Sequence, residues 1–408
     1  MDKIFSLNLR HLAALPVTAR AGSINGAAEA ANLSQPALAQ AIGKIERTLA
    51  CRLFDRQPNG IVLTPAGKIM TVRVERALRY LLRGVRLARR SARLPPAMHI
   101  ERRITMAQLR ALIAVESSSS YALAAKETGL SQPAVHRAVR DLQEVLGITL
   151  LVRVGRAVRP ADAASRFARF ARLMLSELRA GVDEIGALRG SDAGRIRLGT
   201  LPMARALFLP NLLARFAAAH PATLIEVIEA PYGELLNTLR QGEIDLLIGA
   251  RRDPPPAGDV LQEDLFDDEP VIVGRPGHPL CSGALPPTPA EMLAFPWIIP
   301  ARGAPMRSNW ERMFLSRDIE PPRLRIESGS VLIARGLMLQ GDWLTLMSRD
   351  QFLFESRAGM LTEISAPGSA LHRRIVMATR SDWKPTRLQA DFVQLAHAIG
   401  REHNRPRA

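Results

Sequence analysis

The chain has 408 residues, 47% of them hydrophobic and 23% charged, and carries a net charge of +16 and two cysteines. This length supports more than one cored domain, and the composition excludes a disordered chain or a disulfide scaffold. Cys51 and Cys281 have no CxxC or Cys/His spacing, no basic start leads into a signal-like apolar run, and no apolar run reaches membrane-spanning length, so a reducing compartment, the cytoplasm, is the expected location.

The charge is uneven. Residues 1–190 hold 30 Lys and Arg against 14 Asp and Glu, whereas residues 191–408 balance at 25 and 25. A basic half beside a neutral half points to a polyanion bound by the first. The alternative is a solvated, arginine-rich surface.

The basic half repeats a phrase. "LSQPALAQAI" (Leu33–Ile42) returns as "LSQPAVHRAV" (Leu130–Val139), 97 residues later. At the same offset Leu12 matches Leu109, Ala27-Ala28 matches Ala124-Ala125, and Ile42, Ile45, Leu49 and Leu53 match Val139, Leu142, Leu146 and Leu150. Beyond Arg56 and Arg153 the second copy is expected to be one residue shorter. Two copies are too few for a solenoid and read as a duplicated domain.

Each copy predicts helix, helix, turn, helix and hairpin. Leu12 and Leu15, or Leu109, Leu112 and Val115, mark the face of a first helix, which Pro16 is expected to interrupt in copy one. A short Ala-rich helix follows, Gly26–Ala31 or Leu123–Thr128, and then a turn, Asn32-Leu33-Ser34 or Gly129-Leu130-Ser131, in which Asn or Gly suits a left-handed helix end. Ser34 and Ser131 are good N-caps, and Gln-Pro fits a first helical turn. The third helix turns Leu38, Ile42, Ile45 and Leu49, or Val135, Val139, Leu142 and Leu146, inward at spacings of four and three. Its other face carries Gln35, Pro36, Ala39, Gln40 and Lys44, or Gln132, Pro133, His136, Arg137 and Arg140. Such a pair is a helix-turn-helix whose polar face can hydrogen-bond base edges. Arg52, Arg56, Arg153, Arg156 and Arg159 in the hairpins are placed for phosphates. The competing reading is a plain three-helix core with a solvated polar face.

"AAEAANLSQPALAQAIGKIERTLACRLFDRQPNGIVLTPAG" resembles the winged helix-turn-helix signature of LysR-type transcriptional regulators, and "AAKETGLSQPAVHRAVRDLQEVLGITLLVRVGRAVRP" resembles a more worn version of it. The resemblance implies DNA contacts from Ser34, Gln35, Pro36 and Gln40, and from Ser131, Gln132, Pro133, His136 and Arg137. The family normally has one such domain. Copy one has Ala39 and Gly43 on its reading face, and in copy two "RPADAA" replaces the wing ending "LTPAG". Copy two is therefore expected to read sequence more strongly.

Long helices are predicted over Lys68–Leu94 and Ala163–Arg189. The second carries Phe167, Phe170, Met174, Leu178, Val182, Ile185 and Leu188 as a seam for a partner helix. In the family such a helix dimerises neighbouring subunits; packing against the chain's own domains is the alternative. "RGSDAG" (Arg189–Gly194) has turn chemistry and marks a boundary.

The neutral half alternates: strand "RIRLGTLP", helix "ALFLPNLLARFAAAHP", strand "TLIEVIEAP", helix "YGELLNTLRQG", strand "IDLLIGA". This order implies a parallel sheet with crossover helices and a ligand beyond the strands' carboxyl ends. "EPVIVGRPGHPL" predicts a crossing strand, "PWIIPARGAP" and "LRIESGSVLIARGLMLQGDWLTLMS" a second lobe, and "RRIVMATR" with a helix near Thr386–Glu402 the return to the first.

This half resembles the LysR effector domain, which is similar to type 2 periplasmic solute-binding proteins with two lobes and an interlobe cleft. By position the resemblance nominates Leu201, Pro202 and Met203, and from the second lobe Arg302, Ser328, Gly329 and Ser330. Backbone N–H groups and a hydroxyl at a helix start suit a carboxylate or phosphate co-inducer. An ordinary surface arginine and a simple N-cap are the alternatives for Arg302 and Ser330.

The expected fold is thus multidomain: two all-α winged helix-turn-helix domains, then an α/β two-lobed effector domain. The boundaries are 1–67 and 104–163 for the winged domains, 68–96 and 164–190 for the linker helices, and 194–405 for the effector domain. Its lobes are about 194–270 with 375–405, and about 271–370. The expected function is sequence-specific, effector-responsive binding of double-stranded DNA, by a homo-oligomer (dimer or tetramer) without cofactor, metal or membrane. A transport solute-binding protein is disfavoured by the basic domains. An enzyme is disfavoured because GxGxxG, GxxxxGK[ST], GxSxG and HExxH are absent. A copy one that binds protein rather than DNA remains an architectural alternative.

Overall fold

A computed structural model of the chain describes residues 3–31, 33–58, 60–96, 99–155, 157–190, 194–201, 206–283, 285–367 and 371–404. The chain folds into two compact units, residues 1–195 with 240–243, and residues 196–239 with 244–408. Among the described residues no helix is long and apolar enough to cross a membrane, and no cluster of His, Cys, Asp and Glu could hold a metal ion.

The first unit begins with a 3-10 turn (Lys3–Ser6), then α1 (Leu9–Ala21), α2 (Ile24–Ala31), α3 (Gln35–Leu49), β1 (Phe54–Gln57), β2 (Gly60–Leu63) and α4 (Pro65–Ser91). The same succession follows as a 3-10 turn (Ile100–Arg102), α5 (Met106–Ser118), α6 (Tyr121–Thr128), α7 (Gln132–Leu146), β3 (Leu151–Val154), β4 (Ala157–Pro160) and α8 (Asp162–Ala187). Every one of these elements begins 97 residues after its counterpart, so the expectation of a shorter second copy is corrected. The hairpins β1–β2 and β3–β4 pair in equivalent antiparallel register, Phe54 with Leu63 and Leu151 with Pro160.

Local chemistry sets the ends. Ser34 and Ser131 cap α3 and α7, each accepting a hydrogen bond at 3.3 Å from the backbone N–H three residues on. Gly129 ends α6 at φ +67°, a conformation that suits glycine. Pro16 does not interrupt α1, which runs on through it: the helix is fixed by burial of Leu12, Leu15 and Pro16, which outweighs one lost backbone hydrogen bond. The inward faces are as the spacing predicts, with Leu38, Ile45, Val135, Val139, Leu142 and Leu146 all buried.

α4 and α8 lie antiparallel along each other. Met70, Val74, Ala77, Leu81, Val85 and Ala88 share one apolar core with Phe167, Phe170, Met174, Leu178 and Ile185. The α8 seam thus packs on α4 of the same chain, except for its last member, Leu188, which is exposed. At about 1.5–3 kcal/mol for each large side chain fully buried, this is a large part of the unit's hydrophobic stabilisation. α4 starts at Pro65, ahead of the expected Lys68, because Thr64 Oγ1 caps Gly67 N–H at 2.9 Å.

The second unit holds β5 (Arg195–Thr200), α9 (Phe208–Ala219), β6 (Leu224–Glu229), α10 (Tyr232–Gln241), β7 (Leu246–Ala250), β8 (Val260–Asp268) and β9 (Pro270–Gly274). Then follow α11 (Pro289–Met292), β10 (Ile298–Ile299), α12 (Pro305–Leu315), β11 (Ile326–Glu327), α13 (Val331–Met338) and β12 (Thr345–Ser348). It ends with α14 (Leu353–Arg357), β13 (Thr362–Ser365), β14 (Arg373–Arg380) and α15 (Arg387–His403). One sheet has the order β6-β5-β7-β14-β8, with β5 parallel to β7 and β14 antiparallel to both β7 and β8. The other has the order β12-β9-β13, and β10 pairs with β11 in parallel nearby. The chain passes between the sheets at Glu269, from β8 to β9, and again between β13 and β14. The parallel expectation holds for β5 and β7, while the whole sheet is mixed. The sequence reading missed β8, whose acidic positions hide its pattern: they pair with arginines of β14, Arg374 with Asp264 and Asp267, and Arg373 with Asp268.

Candidate functional site

Two surfaces carry chemistry. The first is formed by α3 and α7. With Leu38, Ile42 and Ile45 buried, α3 turns Ser34, Gln35, Pro36, Gln40 and Lys44 to solvent, and Arg56 is exposed on β1. With Val135, Val139 and Leu142 buried, α7 turns out Ser131, Gln132, Pro133, His136, Arg137 and Arg140. Arg153 lies in β3, and its side chain is outside the described residues, as is Arg156.

The surroundings are electropositive. Burial, then Lys44 and Arg10, hold the His11 imidazole below its ordinary value. His136 packs against Tyr121 of α6, with ring centroids 5.0 Å apart and ring planes tilted by 49°. Arg140 sits 3.7 Å from Glu144 and 3.8 Å from Asp141, exposed pairs that compete weakly with another anion.

Two residues that sequence reasoning passed over fix the hairpin to the reading helix. Glu46 Oε1 accepts hydrogen bonds from the N–H groups of Leu53 and Phe54, at 2.7 and 3.4 Å. Gln143 Oε1, 97 residues on, accepts from Leu150 and Leu151 at 2.8 and 3.2 Å. The shared offset was the available signal.

The second surface is a cavity of about 850 Å³ in the second unit. Leu201, Tyr232 and Arg252 enter it from just beyond β5, β6 and β7; Ala301, Arg302, Ser328, Gly329 and Ser330 enter from just beyond β10 and β11; Arg373 completes it from β14. Five nominated residues, Leu201, Arg302, Ser328, Gly329 and Ser330, thus line one cavity, while Pro202 and Met203 lie outside the described residues. Ser330 Oγ is engaged as the N-cap of α13, 3.4 Å from Ile333 N, and Ser328 Oγ accepts from Ser330 N–H at 3.1 Å.

Of the three arginines that line the cavity, sequence reasoning named Arg302 and missed Arg252 and Arg373. The Arg252 guanidinium lies over the Tyr232 ring, 4.3 Å from its centroid, and donates from Nη1 to Gly303 O at 3.0 Å. Its Nε is buried without a protein hydrogen-bond partner. Burial pushes the Arg252 pKa down and the Tyr232 phenol up. Arg373 is tied through Nε to Asp268, and its Nη2 is buried without a protein partner. Buried donors without protein partners are costly, and a bound acceptor would satisfy them. Neither residue stood in a motif: Arg252 follows a strand, and Arg373 is 121 residues further along the chain.

Comparison with known proteins finds matches in both parts of the chain. The family description "Bacterial regulatory helix-turn-helix protein, lysR family" matches residues 9–68 and 106–165, and "LysR substrate binding domain" matches residues 189–400. The HTH-type transcriptional regulator GalR of Pseudomonas putida is 31% identical over 376 residues, 92% of each chain. The HTH-type transcriptional regulator GbpR of Azospirillum brasilense is 29% identical over 63% of this chain and 75% of its own. In fold, a variant of full-length OxyR from Pseudomonas aeruginosa matches with a TM-score of 0.56 at 19% identity, over 73% of this chain and 94% of that one. CbnR, a LysR family transcriptional regulator, matches with a TM-score of 0.52 at 20% identity, over 72% and 98%.

Proposed function

The chain belongs to the LysR family of bacterial transcription regulators, DNA-binding proteins with an effector-binding substrate domain, and we propose that it binds DNA through both α3 and α7 and responds to a small anion held in the cavity of its second unit. On this reading residues 1–67 and 104–163 are winged helix-turn-helix domains, 68–96 and 164–190 their linker helices, and 194–405 the effector domain. Its lobes are residues 194–270 with 375–405, and 271–370. The chain acts in the cytoplasm as a homo-oligomer.

The observation that carries the reading is the pair of exposed helix faces. Each is capped by serine and backed by a closed apolar core, and together they offer Gln35, Gln40, Lys44, Gln132, His136 and Arg137 to solvent. Gln and Arg can pair bidentately with adenine and guanine, while Arg56, Arg140 and Arg153 serve phosphates. The anion is supported by the buried, unpartnered donors of Arg252 and Arg373, with Gly329 and Ser330 lining the same cavity. Ligand binding between the sheets would shift the balance between two arrangements of the lobes.

The test is fluorescence anisotropy of the purified chain on the DNA upstream of its own gene, at two salt concentrations. Specific binding should exceed that to random DNA, and affinity should fall with salt. Gln35→Ala/Gln40→Ala and Gln132→Ala/Arg137→Ala should each weaken it, by about 1–3 kcal/mol per lost base contact. An unaffected Gln35→Ala/Gln40→Ala variant would assign copy one to assembly. No preference over random DNA at either salt would overturn the own-gene target.

A further inference from the structure

The contacts between α4 and α8 come in exchanged pairs. A Cβ on Gly84 of α4 would lie 2.7 Å from the Phe170 side chain and 3.3 Å from that of Phe167, both on α8. A Cβ on Gly181 of α8 would lie 3.2 Å from Arg73 and 3.2 Å from Met70, both on α4. Adding 97 to Gly84, Arg73 and Met70 gives Gly181, Phe170 and Phe167. Each contact becomes the other when the two copies are exchanged. The turns behave the same way: Lys3–Ser6 packs on α5 and α8, and Ile100–Arg102 packs on α1 and α4. Residue i touching j while j's counterpart touches i's counterpart is the signature of a two-fold, isologous interface. Here both halves belong to one chain.

The symmetry is broken where it selects the partner. Arg73 is buried between Glu177 and Glu184, with Nη1 2.9 Å from the first and Nε 2.7 Å from the second. The counterparts of this triad are Phe170, Tyr80 and Leu87. Two α4 helices paired in this geometry would bury Arg73 against Tyr80 and Leu87, with no acid. Two α8 helices would bury Glu177 and Glu184 against Phe170. Either leaves uncompensated buried charge, so α4 with α8 is the selected pairing.

The reading faces differ at the same offset. Gln40 corresponds to Arg137, Ala39 to His136, Gly43 to Arg140 and Lys44 to Asp141. From these observations we infer that one chain is a complete two-armed DNA reader, a covalent pseudo-dimer, and that its target is duplex DNA with two unlike half-sites. The half facing α3 carries adenine opposite Gln40, and the half facing α7 carries guanine opposite Arg137, the bases these side chains pair with bidentately. This rests on the proposal that both helices contact DNA.

The test is selection from random duplexes by the full-length chain, followed by footprinting. Arg137→Ala should uncover one half-site and Gln40→Ala the other, each with the remaining half still protected. A duplex in which either half is duplicated as an inverted repeat should bind the wild type about ten- to hundredfold more weakly. Gln40→Arg, an exposed position that leaves the core intact, should move the copy-one half toward guanine. An inverted repeat in which Arg137→Ala uncovers both halves and Gln40→Ala uncovers neither would overturn the inference: copy two of two chains would then read the DNA, and DNA binding itself would stand. No enriched sequence at all would overturn DNA reading and the inference together.

Discussion

Gly84 and Gly181 stand at equivalent places in their helices, but the room beside them differs. A Cβ on Gly84 would stand 2.7 Å from the Cβ of Phe170, whereas one on Gly181 would stand 3.2 Å from Cβ and Cγ of Arg73 and from the Met70 sulfur. Alanine gains about 1 kcal/mol of helix propensity over glycine at either site. At Gly84 the new methyl would meet a Cβ at 2.7 Å, and overpacking of that kind costs about 1–3 kcal/mol. Gly84→Ala should lower the thermal midpoint more than Gly181→Ala, whose neighbours need give by only a few tenths of an ångström. Equal effects in differential scanning calorimetry would mean that the α4–α8 contact is looser than described.

The buried triad gives a second expectation. Burial opposes the charge of Arg73, but the hydrogen bonds it donates to Glu184 and Glu177 outweigh it and hold the guanidinium above its ordinary range. Arg76 adds a contact to Glu177 at 2.8 Å. Arg73→Met leaves two carboxylates without their main partner and should cost about 3–5 kcal/mol in urea unfolding. Arg73→Met/Glu177→Leu/Glu184→Leu should recover most of that loss. A triple variant no more stable than the single would show that the triad is not acting as one unit.

In the cavity, Arg252 both stacks on Tyr232 and offers an unpaired donor. Arg252→Met should weaken binding of a carboxylate identified by thermal-shift screening by about ten- to a hundredfold, the scale of one charged hydrogen bond. DNA affinity without the carboxylate should be unchanged. Arg252→Lys should restore little, because a point charge replaces a planar fork stacked on a ring. Carboxylate affinity unchanged in Arg252→Met, measured by isothermal calorimetry, would remove Arg252 from the ligand's reach.

His278 carries a pH expectation. Its ring is fully buried, accepts from Leu280 N–H at 3.1 Å, and is held below its usual value of 6.5 chiefly by that burial. The unfolded chain therefore takes up this proton at a higher pH than the folded one. Stability from this group is whole above about pH 6.5 and is lost as the pH falls below it. The urea midpoint of the wild type should drop between pH 7.5 and 5.5 more steeply than that of His278→Gln. Parallel slopes would place the acid sensitivity elsewhere.

Local rules carried the reading far in the first unit. The Ser-Gln-Pro caps, the four-and-three spacing and the 97-residue offset all act within a few turns of chain, and α3 and α7 form as they imply. What the seam on α8 could not say is which helix fills it. An apolar stripe demands burial but names no partner; Arg73, far off in α4, answers both Glu177 and Glu184, and Arg76 joins it on Glu177. Pro16 misled because tertiary burial overrides a local helix penalty. In the second unit the loops beyond the strands were legible from the order of elements. Arg373 was not: it reaches the cavity from a strand whose neighbour, β8, is masked by the acids that pair with it.

The contact between Gly84 and Phe170 closes within a single polypeptide, and this changes the mass action of the protein. Pairing between separate chains depends on their concentration and falls apart on dilution. Pairing within a chain does not: α4 meets α8 to the same extent whether a cell holds three molecules or three thousand. Each chain therefore keeps both arms at any concentration, and a drop in expression thins the population without splitting it into single-armed halves.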